Sequence, residues 1–558
     1  MPQSIVDSPL PTKKPTPRKA EAPFNREDAD FIIRTSDKVD FYVHRLIISL
    51  GSGLFEGMLA LPQPQGTDLK QPFVDVVEDS NTMDAFLRFL YPVQDPAIST
   101  FKLLRSVIEA GRKYDAPQIL AEMQKVLAHK QFFSGDPVRV FAIACLFNME
   151  ELAQDAAIEA VVTGRVLIGH KCEDLDDIPA ASYHRLLQLN KRPVSKVKGK
   201  AATVDPSKIG PFCGRAVLPH PPPIFTTRRP PQEVASEFAL APASHPPDLV
   251  LKTNDDHSFL VHEVIIRFAS PSLLSNLSPV DTVGQSSNDI PDTPKIPTYI
   301  IPEPADVTRV LLKWCYPSSP SPPAITGKRY LDILRATRKY SFYKAEADLR
   351  STWDRYMISA PLEFFFAAAQ WGWQEEAQAC ARELIDTKDD LADIEKLYTS
   401  EMETITADVY RSLLSYVDRC SAAASARMKT GQIPTLPLPP ASVRNSALFT
   451  GDRQVLPLST HCDFSLEKPV LYLEELLHAV RRKPSTLMVI DMARGRPVQT
   501  GPAGAKFLVA LCRASTGSDT TERVMEWGMK FLEGYGNRLK DALSEVTLEL
   551  PPARCAAS

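Results

Sequence analysis

Apolar residues fall into two stretches of the chain that follow one plan. Within residues 29–59, Phe31-Ile-Ile33 is a short apolar run ended by the polar turn Thr35-Ser-Asp-Lys38, and Phe41-Tyr-Val43 follows. Residues 247–277 repeat this layout with Leu249-Val-Leu251, Thr253-Asn-Asp-Asp256 and Phe259-Leu-Val261. Runs this short, bounded by turn formers, predict a strand, a turn and a second strand. Each is followed by a His, and then by Leu46, Ile47 and Leu50 or by Val264, Ile265 and Phe268. Those positions have helical spacing and predict a short helix with that face turned inward.

The two stretches align without a gap. Identical pairs include Asp30 with Asp248, Thr35 with Thr253, Asp37 with Asp255, Phe41 with Phe259, His44 with His262 and Ser52 with Ser270. Ser52 and Ser270 stand just past the short helix, where a hydroxyl can cap the next one. A third strand is expected over residues 74–77 and 299–301. Met83, Phe86, Leu87 and Leu90 then form a helical stripe ending at Tyr91-Pro92, answered by Tyr316-Pro317. Residues 110–114 and 136–154 are answered by 336–340 and 360–378, in patterns of helical pairs. This order predicts an α+β fold: two units, each a small sheet covered by helices and followed by a helical extension, with a mainly helical C-terminal region after them.

The succession of Asp, apolar strand, Phe-x-Val-His, apolar helix, Ser, strand and a helix ending in Tyr-Pro resembles the BTB/POZ domain. The tandem arrangement is similar to BTB proteins of the fungal type. The resemblance gives a first domain over residues 25–130 with an extension over 131–190, and a second over 245–357 with an extension over 358–428. Around these lie an expected disordered tail over residues 1–24, a Pro-rich linker over 191–244, a shorter linker over 429–445 and the C-terminal region over 446–550. What the resemblance implies is a non-enzymatic scaffold or adaptor that binds proteins. Such domains form homo-oligomers, or here pair within one chain, and recruit a cullin scaffold of ubiquitin ligases or, in the alternative, transcriptional corepressors in the nucleus. The charged pocket of the family maps onto Asp30 and Arg45 in the first copy. In the second, Asp248 is kept but Glu263 replaces the base, so the copies differ electrostatically.

Composition narrows the remaining choices. Lys+Arg of 64 against Asp+Glu of 68 gives a net charge of -4, which makes nucleic acid an unlikely partner. The nine cysteines form no C-x-x-C pair and read as reduced side chains, with a cytoplasmic or nuclear location expected. No membrane span is expected, because no apolar run approaches about 18 residues. The basic stretch Lys196, Lys198 and Lys200 reads as solvated linker or as an import segment.

Three places in the sequence carry residue types that catalysis or metal binding could use. His44 and His262 each have a Ser and an Asp nearby in sequence, but neither Ser lies on the strained elbow a nucleophile needs. Each imidazole is expected instead to hydrogen-bond a carbonyl under the following helix. Gly51-Ser-Gly53 follows a helix rather than a strand and reads as a helix–helix turn, not a phosphate loop. His461-Cys462 with Cys512, and His170 with Cys172, lack the paired spacing of a zinc site. No cofactor, metal or catalytic residue is therefore expected. Phe364-Phe-Phe366, Trp371 and Trp373 are expected mostly in a core, and amphipathic helices are expected over residues 470–480 and 524–539, with a strand or helix end at 545–550.

Overall fold

The first hairpin forms where the pattern predicts it. In the computed structural model, β2 (Phe31–Arg34) and β3 (Val39–Val43) pair antiparallel with Ile32 opposite Tyr42. Lys38 supplies the positive φ that the tight turn between them requires. The structure describes residues 17–61, 72–165, 172–191, 211–213, 246–279, 296–316, 325, 327–387, 394–429, 478–480, 482–485, 489–491, 499–500, 502–514 and 521–552. The linker residues 192–210 and 214–245, with Lys196, Lys198 and Lys200, lie outside them, as do His170, residues 430–477 and the side chains of Cys512 and Trp527.

The chain divides into two units, Met1–Ile178 with Arg185–Gly214, and Pro179–His184 with Arg215–Ser558. In the first, α1 (Arg45–Gly51) and α2 (Gly53–Ala60) follow the hairpin, and β4 (Phe73–Asp75) adds parallel to β2. The sheet is completed by β1 (Arg18–Lys19), parallel to β3. This corrects the expected tail: its last residues belong to the fold, because Ala20 and Phe24 are buried and the Phe24 carbonyl accepts from the Tyr42 N–H. The sheet order is β1-β3-β2-β4.

Helices α3 (Ser80–Leu90), α4 (Phe101–Lys113) and α5 (Pro117–Ala128) cover the sheet. The stripe of α3 faces inward, with Met83, Phe86 and Leu87 fully buried. Behind them come the short α6 (Lys130–Phe133), then α7 (Pro137–Leu146), α8 (Glu150–Val162), α9 (Glu173–Asp177) and α10 (Ala180–Asn190), the last crossing the division between units. α7 is buried on nearly every side, which suits its almost continuous apolar sequence. Asp174 of α9 ties this layer together: only 2% exposed, it accepts from Arg105 of α4 at 2.7 Å and from Arg139 of α7 at 2.5 Å.

The second unit repeats the hairpin with β5 (Leu249–Thr253) and β6 (Ser258–Val261), followed by α11 (Glu263–Ala269). Here a 3-10 turn (Leu274–Asn276) stands in place of a second helix, so the helix expected after Ser270 shrinks to one turn. β8 (Thr298–Ile301) runs parallel to β5, and β7 (Ser278–Pro279) pairs antiparallel to β8, giving the order β6-β5-β8-β7. α12 (Ala305–Cys315), α13 (Gly327–Lys339), α14 (Tyr343–Ser351), α15 (Trp353–Met357), α16 (Pro361–Gln370) and α17 (Gln374–Thr387) follow in the same succession. Phe364, Phe365, Phe366 and Trp373 are buried, while Trp371 is half-buried.

α18 (Ala407–Lys429) leads to the C-terminal region. That region holds the two-stranded pair β9 (Ile490–Asp491) and β10 (Gln499–Thr500), then α19 (Pro502–Ala514) and α20 (Thr521–Ser544). Phe507, Leu508, Phe531, Leu532 and Leu539 form one apolar cluster with Ala424 of α18. Residues 545–550 are neither strand nor helix, contrary to expectation: α20 ends at Ser544, and the chain beyond is held by side chains of α17 and α18.

Candidate protein-interaction face

Each hairpin delivers the chain to its short helix in the same way. Asp30 Oδ1 accepts the backbone N–H of Arg45 at 2.7 Å, and Asp248 Oδ1 accepts that of Glu263 at 2.7 Å. Both carboxylates therefore cap the start of a helix, where orphan N–H groups and the positive end of the dipole favour an anion. The contact is to backbone, so the change from Arg45 to Glu263 leaves it intact. The Arg45 guanidinium lies over the Phe31 ring, 5.4 Å from its centre, and Glu263 pairs with Arg267 of its own helix at 2.6 Å.

His44 and His262 sit at the strand–helix junction, and a tyrosine hydroxyl, not the expected carbonyl, meets Nδ1 of each ring. The His44 N–H donates to the Tyr91 hydroxyl at 2.7 Å, with Nδ1 3.3 Å from the same oxygen. His262 makes both contacts to Tyr316, each at 3.0 Å. The Tyr that closes the stripe helix is thus the clamp on the junction. Burial disfavours the phenolate and pushes the pKa of both hydroxyls up, that of Tyr316 to about 12.

Ser52 and Ser270 are bound to backbone on both sides. Their hydroxyls donate to the carbonyls of Tyr114 and Tyr340, and accept from the N–H groups of Phe55 at 3.2 Å and Leu273 at 3.0 Å. The hydrogen a nucleophile would pass to a base is committed to a peptide carbonyl. Among the described residues no three His, Cys, Asp or Glu side chains converge as a metal site requires, and no helix is long and apolar enough to cross a membrane.

Two further repeated clusters escaped the sequence reading. The turn residues Asp37 and Asp255 each accept from a helix start on a distant segment, Ser80 N–H at 3.0 Å and Ala305 N–H at 3.0 Å. Glu78 accepts from Lys113 at 2.8 Å and from the Tyr114 hydroxyl, and Glu303 accepts from Lys339 at 2.8 Å and from the Tyr340 hydroxyl. Burial opposes ionisation of Glu78, but the bonds from Lys113 and Tyr114 outweigh it and hold the carboxyl below its usual range. The signal was the repeated Lys-Tyr at 113–114 and 339–340; its glutamate partner lies in the less similar segment after the third strand.

These anchors fix α1 and α11 by their ends and by one inward residue each, Ile48 and Ile266, both fully buried. The face expected to point inward instead meets solvent. Leu46 and Leu50 are 71% and 81% exposed, and Val264 and Phe268 are 58% and 86% exposed. Each pair is spaced i, i+4 and so lies on one face of its helix.

Residues 21–131 match the family model of the BTB/POZ domain. The chain contains one such domain. It begins between the buried Ala20 and Phe24 and ends in α6, so β2, β3, β4, α1 and the exposed pair all lie inside it. BTB/POZ domains are protein-interaction modules, which suggests an adaptor role for this stretch. No curated protein matches the chain.

Proposed function

We propose that the chain is a non-enzymatic scaffold that works through two BTB/POZ modules, the second built on residues 245–357, and that α1 and α11 are the docking faces. Support for the second module is the repetition of side-chain roles: Asp248, Asp255, His262, Ser270, Glu303, Tyr316 and Tyr340 each make the contact their counterpart makes in the first. The observation that carries the docking reading is the exposed apolar pair at the same position of both helices. Leaving four large apolar side chains in water costs about 1.5 to 3 kcal/mol each relative to burial, which a partner surface recovers.

The occupant we favour is the corresponding face of another copy of the chain, as a homo-oligomer, with recruitment of a cullin-type ligase scaffold a further step of the same reading. Leu50→Asp and Phe268→Asp, made separately, test it. If each face pairs with its like, each variant loses one of two associations. If first faces pair with second faces, either variant abolishes association. Association unchanged in both would remove the helices from the interface, and purified cullin scaffold that binds neither the full chain nor its variants would remove the ligase role.

A further inference from the structure

A short piece of the Pro-rich linker is built into the first unit. Phe212 and Cys213 are buried, and their successive backbone N–H groups donate to the two carboxylate oxygens of Glu150, at 3.0 and 2.7 Å. The Phe212 ring stands edge-on to Phe141 of α7, 5.4 Å away, and Cys213 Sγ lies 3.7 Å from the Ala144 carbonyl. Glu150 is the first residue of α8, and Gln154, one turn on, steadies its Oε1 at 2.8 Å. The host thus reads backbone with a charged acceptor and accommodates one aromatic anchor in the α7 surface, which is how short peptides are recognised.

The second unit uses the same two helix positions for the same purpose. Gln374, the first residue of α17, donates to the Leu548 carbonyl, and Gln378, one turn on, accepts the Leu548 N–H at 3.2 Å. Leu548 is buried there. Two segments remote in sequence, one in the linker and one after α20, therefore dock by backbone and a single apolar side chain onto equivalent helix starts.

We propose that the α7–α8 surface around Glu150 is a peptide-docking groove, that Phe212–Cys213 is its tethered ligand, and that this ligand exchanges with a free segment of the same sequence. Occupied in cis, the groove holds the linker at residue 212. Displacement in trans, by the same segment of a second copy, links two chains.

The test uses the full chain and the rate at which a thiol reagent labels Cys213, read by mass spectrometry of the peptide that contains it. Glu150→Ala and Phe212→Ala are each expected to speed labelling by about tenfold or more, since hydrogen bonds to a charged group or a buried ring are lost. A synthetic peptide of residues 207–217 carrying Cys213→Ser should speed labelling of the wild-type chain and bind the Phe212→Ala chain, whose groove is vacated. Labelling as slow in both variants as in the wild type would show that these contacts do not hold the segment. Faster labelling in the variants with no effect of the peptide, and no binding to the Phe212→Ala chain, would reduce the groove to fixed packing and overturn the proposal.

Discussion

The two units give the same jobs to the same residues and part company at their margins. In both, a hairpin-turn Asp caps the helix after the third strand, a strand-end Asp caps the helix after the hairpin, a Tyr clamps the His junction, and a Ser joins that helix to a Lys-Tyr pair. The first sheet gains β1 beside β3, whereas the second gains β7 beside β8. The extension of the first unit is tied by a nearly dry carboxylate between two arginines. In the second, the corresponding helix α13 is joined to the 3-10 turn at Ser400–Glu403 by one pair, Arg335 with Glu401 at 3.0 Å, in a wetter setting. What repeats is the machinery that orients α1 and α11; what differs is edge and charge.

The largest expected effect tests that last contrast. Asp174→Ala removes the buried acceptor shared by Arg105, which keeps Glu109 and Asp177, and Arg139, and the loss of two charge-assisted hydrogen bonds should cost about 3 kcal/mol in the first unit, by denaturant unfolding of the full chain followed with probes in each unit. Glu401→Gln, at a half-exposed pair, should cost less than about 1 kcal/mol. Equal costs would erase the difference drawn between the extensions.

The shared machinery should respond alike in both units. Ser52→Ala and Ser270→Ala each remove a buried hydroxyl that satisfies a carbonyl and caps a turn, for an expected loss of about 1 to 3 kcal/mol apiece. A large cost at Ser52 with none at Ser270 would break the equivalence.

Acid separates the units by sign. In the first, hydrogen bonds from Arg26, Thr35 and Lys113 help to hold Asp28, Asp37 and Glu78 below the usual carboxylate range, against the burial that opposes ionisation of Asp37 and Glu78. The unfolded chain then binds protons first, so stability present above the ordinary carboxylate range is lost as pH falls through the depressed values. In the second, burial raises Glu363, Glu383, Asp386 and Asp418, and only Asp255 among the shifted carboxylates described there is lowered. Raised groups contribute stability that is fully present below the ordinary range and lost as pH rises through the folded values. Hydrogen exchange at pH 7 and pH 4, corrected for intrinsic rates, should show β2 and β3 losing protection while α17 keeps or gains it. Parallel loss in both would refute the assignment.

The strands, their order in the hairpins and the repeat were legible because turn formers bracket short apolar runs and because both copies could be compared. The rotation of α1 was not. Leu46, Ile47, Ile48 and Leu50 occupy four of its seven positions, so helical spacing accepts either face, and only the end anchors Asp30, His44 and Ser52 decide that Ile48 turns inward. Phe212–Cys213 and Leu548 were missed for a different reason. Single apolar residues in irregular chain carry no period, and their binding positions, Glu150 and Gln374, look like ordinary polar helix starts. Helix α19 begins at Pro502, and Gly504 is needed there, since a side chain would run into the Val489 carbonyl.

Whether α1 and α11 are docking faces is decided by solution mass combined with side-chain oxidation of the intact protein. The expected result is a wild-type mass above that of one chain, with Leu50 and Phe268 protected from hydroxyl radicals, and a Leu50→Asp/Phe268→Asp chain that is folded and single. A wild type of single-chain mass, with Leu50 and Phe268 oxidised as fast as freely exposed side chains, would contradict it.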